Sequence, residues 1–445
     1  MFDLEVANRL SEIRGKLIVN TFAPWKILHL ELSEGIPTLL ESDYQGLYIV
    51  FWWHGIPLGH LEIQATQLPI PTTQLTNLVL QTITPAVGDR LFEQGFKVLL
   101  PELPHKNPIP PNFDALVELQ RPLAQLRECW SQPTNESVSV VICTRNRPER
   151  LARCLHSLQN LSQYPQEIIV VDNAPSSDTT RQLVAQIPHI RYVLEPNPGL
   201  DVARNTGIRH STSDIIAFTD DDVTVHPDWL ARLQQSFDEP TVMAVTGLVL
   251  PAELETEAQF IFEKYWGFNR GYRAITFDTH FFEQRKPWGV PVWHIGAGAN
   301  MAFRRKVFEL VGNFDERLDA GAAGCNGDSE LWYRVLAEGW ACRYEPAAVV
   351  YHYHRRDMDD LKQQIYFYLR GDTAARLIQF SKYRHWGNLR HLFLTLPKYY
   401  VKLFLRGLLK GFEPRHSTLL VEVLGCFSGV NFYLHTVKSS FSKKQ

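Results

Sequence analysis

Three consecutive aspartates, Asp220, Asp221 and Asp222, follow an apolar run that begins at Ile215. A short apolar run of this kind is typical of a buried strand in a parallel sheet. Such a strand delivers its aspartates to the carboxyl edge of the sheet, where ligands bind in open α/β folds. Three like charges this close raise one another's pKa unless a cation compensates, so the cluster predicts a divalent metal held by oxygen ligands. The alternative is a solvated turn that opens a helix near Pro227, where the helix dipole favours acids.

Strands and helices alternate at short spacing around these aspartates. The predicted strands are 138–144, 167–173 and 192–194, and the predicted helices are 149–158, 179–185 and one that carries Arg204. This alternation predicts right-handed βαβ units, and therefore an α/β fold with a mostly parallel sheet flanked by helices. Polar residues follow the strands, among them Thr144, Arg145 and Asp172. An acid at a strand end can accept hydrogen bonds from a ribose or a base, arginines bind phosphates, and a metal neutralises the remaining charge. Together these residues predict a nucleotide site.

No G-x-G-x-x-G or Walker A stretch follows the first of these strands, which argues against a dinucleotide oxidoreductase or a P-loop NTPase. The length of 445 residues allows two or three domains. A polar linker at 131–136 predicts a boundary. We expect a small α+β accessory domain over 1–130, a catalytic domain over 136–360 and a helical, basic region over 361–445. The accessory domain would contain strands at 47–53 and 58–63 and helices near 4–17 and 116–129.

The composition is that of a soluble globular protein, with 45% hydrophobic and 21% charged residues. The net charge of −3 gives no reason to expect a nucleic-acid partner. The six cysteines form no CxxC pair, which suits a reducing compartment. The first residues lack the pattern of a secretory signal, and no long uninterrupted apolar run predicts a transmembrane helix. We therefore expect a cytoplasmic protein.

Several motifs, taken in order along the chain, resemble those of the inverting glycosyltransferase family two, which has a GT-A fold. The resemblance covers about residues 136–360. The matching stretches are 140–147, 170–173, 197–199 with 203–205, 218–222, 296–304, 312–316 and 327–331.

The resemblance implies a role for each matching position. The implied donor-binding residues are Thr144, Arg145, Arg147, Asp172, Asn197, Gly199, Arg204, Asp220, Asp221 and Asn300. Asp220 and Asp222 would be the two acids of a DxD motif that binds Mn²⁺ or Mg²⁺, although three acids in a row leave the register open by one residue. His352 and His354 lie on one face of a predicted last strand, in a His-x-His pattern, and either would add an imidazole to the metal, with His352 favoured. Asp328 would be the general base; its alternative is a carboxylate at a helix N-terminus, and Gly327 stands where the family often has Glu.

The implied reaction moves a sugar, with inversion, from a UDP-, GDP- or dTDP-sugar to a hydroxyl of a glycan or lipid-linked acceptor. It would serve polysaccharide, glycolipid or cell-surface glycan synthesis. The chain lacks the Gln-x-x-Arg-Trp motif of the processive synthases, which favours addition of one or a few sugars. Two alternatives are a non-catalytic nucleotide-sugar-binding scaffold subunit and a sugar-1-phosphate nucleotidyltransferase. The second would need a Gly-rich loop after the first strand.

The C-terminal region carries Lys or Arg every four residues among large apolar side chains at 399–410. From Lys382 to the end, eleven Lys and Arg face two acids, a surplus of nine positive charges. Such a basic amphipathic helix predicts a peripheral contact with an anionic membrane, at the inner face of the plasma membrane. The alternative is a helix packed on the catalytic domain. The tryptophans of 260–293 either stack on acceptor sugars or belong to the core.

Overall fold

The computed structural model describes residues 22–93 and 136–437. The helices predicted near 4–17 and 116–129, and most of the polar linker at 131–136, lie outside the described residues. Two sheets organise the rest. A three-stranded sheet has the order β1-β2-β3, formed by Trp25–Glu31, Gly46–Trp53 and Ile56–Gln64. The two strands predicted at 47–53 and 58–63 are thus confirmed.

The larger sheet has nine strands, and eight of them follow the order β10-β12-β9-β11-β7-β4-β5-β6, while β8 pairs with β12. Their bounds are Val138–Thr144 (β4), Glu167–Asn173 (β5), Ile190–Glu195 (β6), Ile215–Asp220 (β7), Val223–Val225 (β8), Val242–Pro251 (β9), Ile275–Phe277 (β10), Asn300–Arg304 (β11) and Ala341–His352 (β12). Strands β7, β4, β5 and β6 are parallel to one another, and β12 is parallel to β9. Strand β11 runs antiparallel between β9 and β7. The predicted α/β class, with a mostly parallel sheet flanked by helices, is confirmed.

Helices cover both faces of this sheet and continue beyond it. They are Thr72–Glu93 (α1), Pro148–Leu158 (α2), Thr179–Ala185 (α3), Leu200–His210 (α4), Trp229–Gln235 (α5), Glu257–Trp266 (α6), Thr279–Arg285 (α7), Lys306–Val311 (α8), Gly327–Ala337 (α9), Met358–Tyr383 (α10), Gly387–Arg390 (α11), Leu396–Lys410 (α12) and Leu419–Phe432 (α13). A π-helical turn at His391–Thr395 joins α11 to α12, and another at Tyr433–Val437 follows α13. The predicted helical C-terminal region is confirmed.

The central strands β4, β5 and β7 are largely apolar because helices bury both of their faces. In β7, Ile216 and Phe218 belong to one hydrophobic cluster, whereas Ile215 and Ala217 belong to the cluster on the other face. Successive side chains of a strand point to opposite faces, so an uninterrupted apolar run is what a sheet covered on both sides requires. Most polar residues of these central strands therefore lie at or near the strand ends.

The three-stranded sheet packs against the larger one. Alternate residues of β2, including Tyr48 and Trp52, join a cluster that also contains residues of the large sheet. The intervening residues, including Phe51, pack with α1 in a separate cluster. A buried ion pair of 3.3 Å between Arg90 of α1 and Glu345 of β12 also connects the two parts. The domain boundaries at 130, 136 and 360 stay a prediction.

One segment within the described residues, Pro414–Thr436, is long and apolar enough to cross a membrane, with a mean hydropathy of 1.4 and 22% of its apolar window buried. Arg415 and Glu422 interrupt this segment, so it does not contain the long uninterrupted apolar run that predicts a transmembrane helix. The expectation that no stretch has the length and apolar character of a span is nevertheless corrected for these 23 residues.

Candidate functional site

A cavity of roughly 1220 Å³ lies at the carboxyl ends of the parallel strands. The register of the sheet brings these ends level, since Cys143 lies opposite Asp220 and Thr144 lies opposite Asp172. The residues predicted from the sequence that line the cavity are Thr144, Arg145, Arg147, Gly199, Arg204, Asp220, Asp221, Asp222, Asp328 and His352. The edge of the sheet thus gathers most of the predicted site in one place.

Asp220, Asp222 and His352 offer ligand atoms that lie within 4.8 Å of one another. Asp220 ends β7, and Asp222 lies in the turn to β8. Strand β8 pairs antiparallel with β12, with Val223 opposite His352, and the backbone N–H of Tyr353 donates to the carbonyl oxygen of Asp222 at 3.0 Å. Two distant parts of the chain therefore meet at this point.

The middle aspartate of the three has other partners. Asp221 accepts hydrogen bonds from the hydroxyl of Thr144 at 2.7 Å and from the guanidinium of Arg147 at 3.2 Å. It is therefore held away from the group formed by Asp220 and Asp222. The geometry thus groups the outer two aspartates with His352 and leaves Asp221 outside that group.

The electrostatics of the group suit a divalent cation. Burial raises the pKa of Asp220 to about 6; Arg204 opposes this and the neighbouring charge of Asp222 adds to it. Burial also acts to raise the pKa of Asp222, but His352 and Arg147 hold it well below its ordinary value. Two carboxylates fit either Mn²⁺ or Mg²⁺, and the imidazole favours Mn²⁺. The residues present thus fit such an ion.

A row of contacts behind the metal group fixes the orientation of His352. Its Nε2 lies 3.3 Å from Oδ1 of Asp222, and its Nδ1 lies 3.0 Å from Nδ1 of His354. Nε2 of His354 lies 3.2 Å from the carboxylate of Glu263 on α6. The row is satisfied when His354 donates to Glu263 and the Nδ1–H of His352 donates to His354. That arrangement leaves the Nε2 lone pair of His352 directed at the metal group, as a metal-ligating histidine requires.

Asp328 stands in another part of the cavity wall, in the first turn of α9. The backbone N–H of Ser329 donates to Oδ1 of Asp328 at 2.6 Å. Asp328 therefore also accepts from the helix N-terminus, as the alternative interpretation expects. Burial raises the pKa of Asp328; the carboxylate of Asp319 raises it further, and the guanidinium of Arg204 opposes both. A carboxylate with a raised pKa in a cavity is suited to take up a proton.

Arg204 is the centre of a buried charge cluster beside this aspartate. Its Nη1 donates to Asp201 at 2.9 Å and to Asp319 at 2.6 Å, and the residue is 4% exposed. A Cβ added to Gly298 would lie 2.9 Å from both Arg204 Nη2 and Asp328 Oδ2, so these two groups face the same gap. The structure therefore gives Arg204 carboxylate partners next to the predicted base, in addition to its place in the cavity wall.

The same cluster explains Gly327, the position at which the chain departs from the resembling family. A Cβ at this position would lie 2.0 Å from Oδ2 of Asp201, a separation that no side chain tolerates. Asp201 and its partner Arg204 occupy the space into which an acidic side chain at position 327 would extend. Glycine is thus required by the local packing.

Three predicted donor-binding residues are not among those that line the cavity. Asn300 is fully buried: its amide nitrogen donates to the carbonyl oxygens of Leu248 at 3.0 Å and Ala348 at 2.8 Å, and its oxygen accepts from Trp229 at 2.8 Å. All its polar atoms are used to join strands, so the donor-binding assignment of Asn300 is corrected to a structural one.

The side chains of Asp172 and Asn197 also contact other protein groups and do not line the cavity. Asp172 is fully buried and accepts from the hydroxyl of Tyr192 at 3.0 Å, while its neighbour Asn173 lines the cavity. The side chain of Asn197 donates to Glu195 at 3.0 Å. In this structure neither side chain is presented to the cavity, so the contacts with a donor predicted for Asp172 and Asn197 do not follow from it.

Several cavity residues or supports were missed from the sequence. Arg150 pairs with Asp222 at 3.2 Å, and Arg355 lines the cavity next to His352. Asp319 contacts Arg204 beside Asp328, and Glu263 contacts His354 behind the metal group. A basic residue directly after the His-x-His pattern was a signal for Arg355, whereas Glu263 lies about ninety positions away and gave none.

The chain is similar to known glycosyltransferases. The model of glycosyl transferase family 2 matches residues 139–312. The pre-mycofactocin glycosyltransferase of Mycobacterium tuberculosis strain H37Rv is 30% identical over 250 residues, which are 56% of this chain and 48% of that protein. The glucosyl-dolichyl phosphate glucuronosyltransferase of Haloferax volcanii is 29% identical over 185 residues, which are 40% of this chain and 56% of that protein. The chain thus spans about half the length of these curated relatives.

Among solved structures, a mannosyltransferase from Pyrobaculum calidifontis in complex with GDP-Man and Mn²⁺ is 17% identical to the chain. The match covers 81% of this chain and 98% of that one, with a TM-score of 0.47.

Proposed function

We propose that the protein is a metal-dependent, inverting glycosyltransferase, since the model of glycosyl transferase family 2 matches residues 139–312. It takes a sugar from a nucleotide-sugar donor and transfers it to an acceptor hydroxyl. The observation that carries the proposal is the placement of two different acidic groups in one cavity. Asp220, Asp222 and His352 form a set of metal ligands, and Asp328 stands apart from them with a raised pKa.

The donor side of the cavity is suited to a nucleoside diphosphate. Arg145 and Arg355 line it and make no ion pair with the described residues, so their guanidinium groups are available for phosphate oxygens. Mn²⁺ or Mg²⁺ bound to Asp220, Asp222 and His352 would supply Lewis-acid stabilisation for the diphosphate that leaves. Thr144 and Arg147 fix Asp221 and thereby the turn that carries the two ligands.

The acceptor side requires a base. Asp328 takes the proton from the acceptor hydroxyl while that oxygen attacks the anomeric carbon from the face opposite the diphosphate, which inverts the configuration. Arg204 and Asp319 set how readily Asp328 ionises, since one lowers its pKa and the other raises it. The proton thus ends on Oδ of Asp328, and the bond between the anomeric carbon and the diphosphate oxygen breaks.

We place this reaction in polysaccharide, glycolipid or cell-surface glycan synthesis, in the cytoplasm beside the inner face of the plasma membrane. The basic helices of the C-terminal region support that location, because anionic headgroups attract clustered lysine and arginine. The acceptor would then be a glycan or a lipid-linked glycan within reach of that surface.

The proposal is tested with a thermal-shift panel of UDP-, GDP- and dTDP-sugars, each with and without Mn²⁺. A ligand at about 100 times its dissociation constant stabilises the folded state by about 2.7 kcal/mol, which raises the melting temperature by roughly a few degrees in a chain of this size. We expect a shift that needs both Mn²⁺ and one nucleotide class and that is lost in Asp222→Asn. No shift with any donor, in protein shown to be folded, would favour a scaffold subunit instead.

A further inference from the structure

The exposed large apolar side chains are concentrated in one region of the molecule. Fourteen of the 22 in the described residues lie between positions 386 and 434. We call them the C-terminal face; they are Trp386, Phe393, Leu394, Tyr399, Val401, Phe404, Leu405, Leu408, Leu409, Phe412, Leu420, Leu424, Phe427 and Leu434. Helix α12 has a single buried residue, Gly407, although most of its side chains are apolar. An apolar surface of this extent marks a site of interaction.

Positive charge is interleaved with this face. The stretch from Lys382 to Phe412 contains seven Lys and Arg and no acid. In α12, Lys398, Lys402 and Lys410 are exposed and make no ion pair with the described residues. Their long apolar stems can lie along a hydrophobic surface while the ammonium groups reach anionic headgroups. A helix that faced water, or an acidic protein surface, would not need so many apolar side chains beside its lysines.

The C-terminal face is continuous with the cavity that holds the aspartates. Leu396, Tyr399 and Tyr400 of α12 line that cavity, and Tyr399 is also 45% exposed on the outer face. The wall formed by α12 therefore has the reaction site on one side and the exposed apolar surface on the other. A molecule anchored at that surface has a short path into the cavity.

Helix α13 lies along the protein and does not have the surroundings of a spanning helix. A Cβ on Gly425 would be 2.5 Å from the carbonyl oxygen of Tyr366, and a Cβ on Gly429 would be 2.5 Å from that of Arg370, so α13 packs directly on the backbone of α10. Glu422 of α13 is buried and paired with Arg415. These contacts fix α13 against the domain and leave only its other side exposed.

We propose that the C-terminal face lies on an anionic bilayer and that the acceptor is a lipid-linked molecule, which reaches Asp328 from that bilayer along the α12 wall of the cavity. The inference rests on the proposed transfer reaction and adds to it the class of acceptor. A bilayer suits the face better than a second copy of the chain, because two such faces would bring fourteen or more positive charges together.

The first experiment is flotation with vesicles of phosphatidylcholine containing about 30% phosphatidylglycerol, against vesicles of phosphatidylcholine alone. We expect binding to the anionic vesicles only. Leu405→Glu/Leu409→Glu should lower the partition coefficient at least tenfold, because two exposed leucines lose their contact with lipid. Lys398→Gln/Lys402→Gln/Lys410→Gln should lower it by roughly fivefold for each lysine.

The control is Leu194→Glu/Leu310→Glu, which changes two leucines that are also exposed, at 54% and 45%, but lie outside the C-terminal face. The control should float like the unaltered protein. Equal loss in the control, no flotation at all, or flotation that survives carbonate extraction would overturn the proposal, the last because a spanning helix resists carbonate. A dimer by light scattering that becomes a monomer in Leu405→Glu/Leu409→Glu, or a lower melting temperature of that variant, would show that a second copy or another segment of this chain covers the face.

The second experiment tests the acceptor class with octyl β-glucoside below its micelle concentration, against methyl β-glucoside. Each buried methylene contributes roughly fourfold to affinity, so the octyl compound should bind at least tenfold more tightly. Leu396→Gln should reduce that preference. Equal affinity for the two glucosides would overturn the lipid-linked acceptor. The melting-temperature shift with nucleotide and Mn²⁺ distinguishes failure of the membrane inference from failure of the transferase proposal. If the shift persists while flotation fails, only the membrane inference is wrong. If the shift is absent while flotation succeeds, the transferase proposal is wrong.

Discussion

Asp222 and Asp328 line the same cavity, yet their surroundings shift their pKa values in opposite directions. Burial acts to raise the pKa of both carboxyl groups. Around Asp222, the guanidinium of Arg147 and the imidazole of His352, which is protonated when no metal is bound, outweigh burial and lower the pKa. Around Asp328 the nearby carboxylate of Asp319 adds to burial, and only Arg204 opposes it. The same type of side chain is thus prepared to stay ionised at one place and to accept a proton at the other.

The chain thereby separates two roles that both need a carboxylate. A carboxylate that binds a metal must stay ionised at the working pH, whereas a base must exchange a proton during the reaction. Two of the deciding neighbours lie far away in the sequence, since His352 follows Asp222 by 130 positions and Arg204 precedes Asp328 by 124. Substitutions that remove one neighbour at a time therefore test the comparison directly.

The largest effect is expected from Asp222→Asn. It removes a charged ligand, so Mn²⁺ affinity should fall and kcat/KM should drop by roughly a thousandfold or more. Asp221→Asn is the matched change one residue away, and its Mn²⁺ affinity should stay within a few-fold, because Asp221 is engaged by Thr144 and Arg147. Titration calorimetry measures the Mn²⁺ affinity of both variants. If Asp221→Asn lost the metal and Asp222→Asn kept it, the ligand set would be wrong.

The next effect is expected from Asp328→Asn. It removes the base but keeps the shape, so kcat should fall by roughly a hundredfold to a thousandfold, within the range of general acid–base catalysis. Mn²⁺ affinity and donor affinity should not change, because Asp328 does not belong to the metal group. Single-turnover measurements with saturating donor separate the chemical step from binding. Unaltered turnover would remove Asp328 from the mechanism.

The sequence predicts much of this fold because the decisive residues follow one another locally. Strands β4 and β5 were predicted at their observed bounds, since both faces are buried and the apolar runs are uninterrupted. The aspartates could be placed because strand ends of a parallel sheet share one edge. Asn300 could not be placed, since its role depends on β11 lying antiparallel between β7 and β9. Gly327 likewise had no local explanation, because the obstacle, Asp201, comes from another helix.

A smaller effect on Mn²⁺ binding is expected from a substitution behind the metal group. Glu263→Gln should weaken Mn²⁺ binding by roughly tenfold to a hundredfold, because outer partners orient a ligating histidine. The mechanism is the loss of the carboxylate that holds His354 and, through it, the tautomer of His352. Glu257→Gln, in the first turn of the same helix, is the control and should leave the affinity unchanged. Calorimetry checks this without reference to activity, and identical affinities in both variants would show that His352 is oriented by other contacts.

The smallest effect is a shift of the pH profile in Asp319→Asn. The base must be ionised to act, so activity is lost as the pH falls through the pKa of Asp328, and its raised pKa places this limb above the ordinary range of a carboxyl group. Removing the charge of Asp319 takes away one cause of the rise and leaves Arg204 with fewer anionic partners, so both changes favour the ionised form of Asp328. The acid limb of kcat/KM should therefore move to lower pH, with little change in the plateau. Asp315→Asn, whose partner is Arg317, should leave the limb in place. A limb that moved to higher pH in Asp319→Asn would contradict the surroundings inferred for the base.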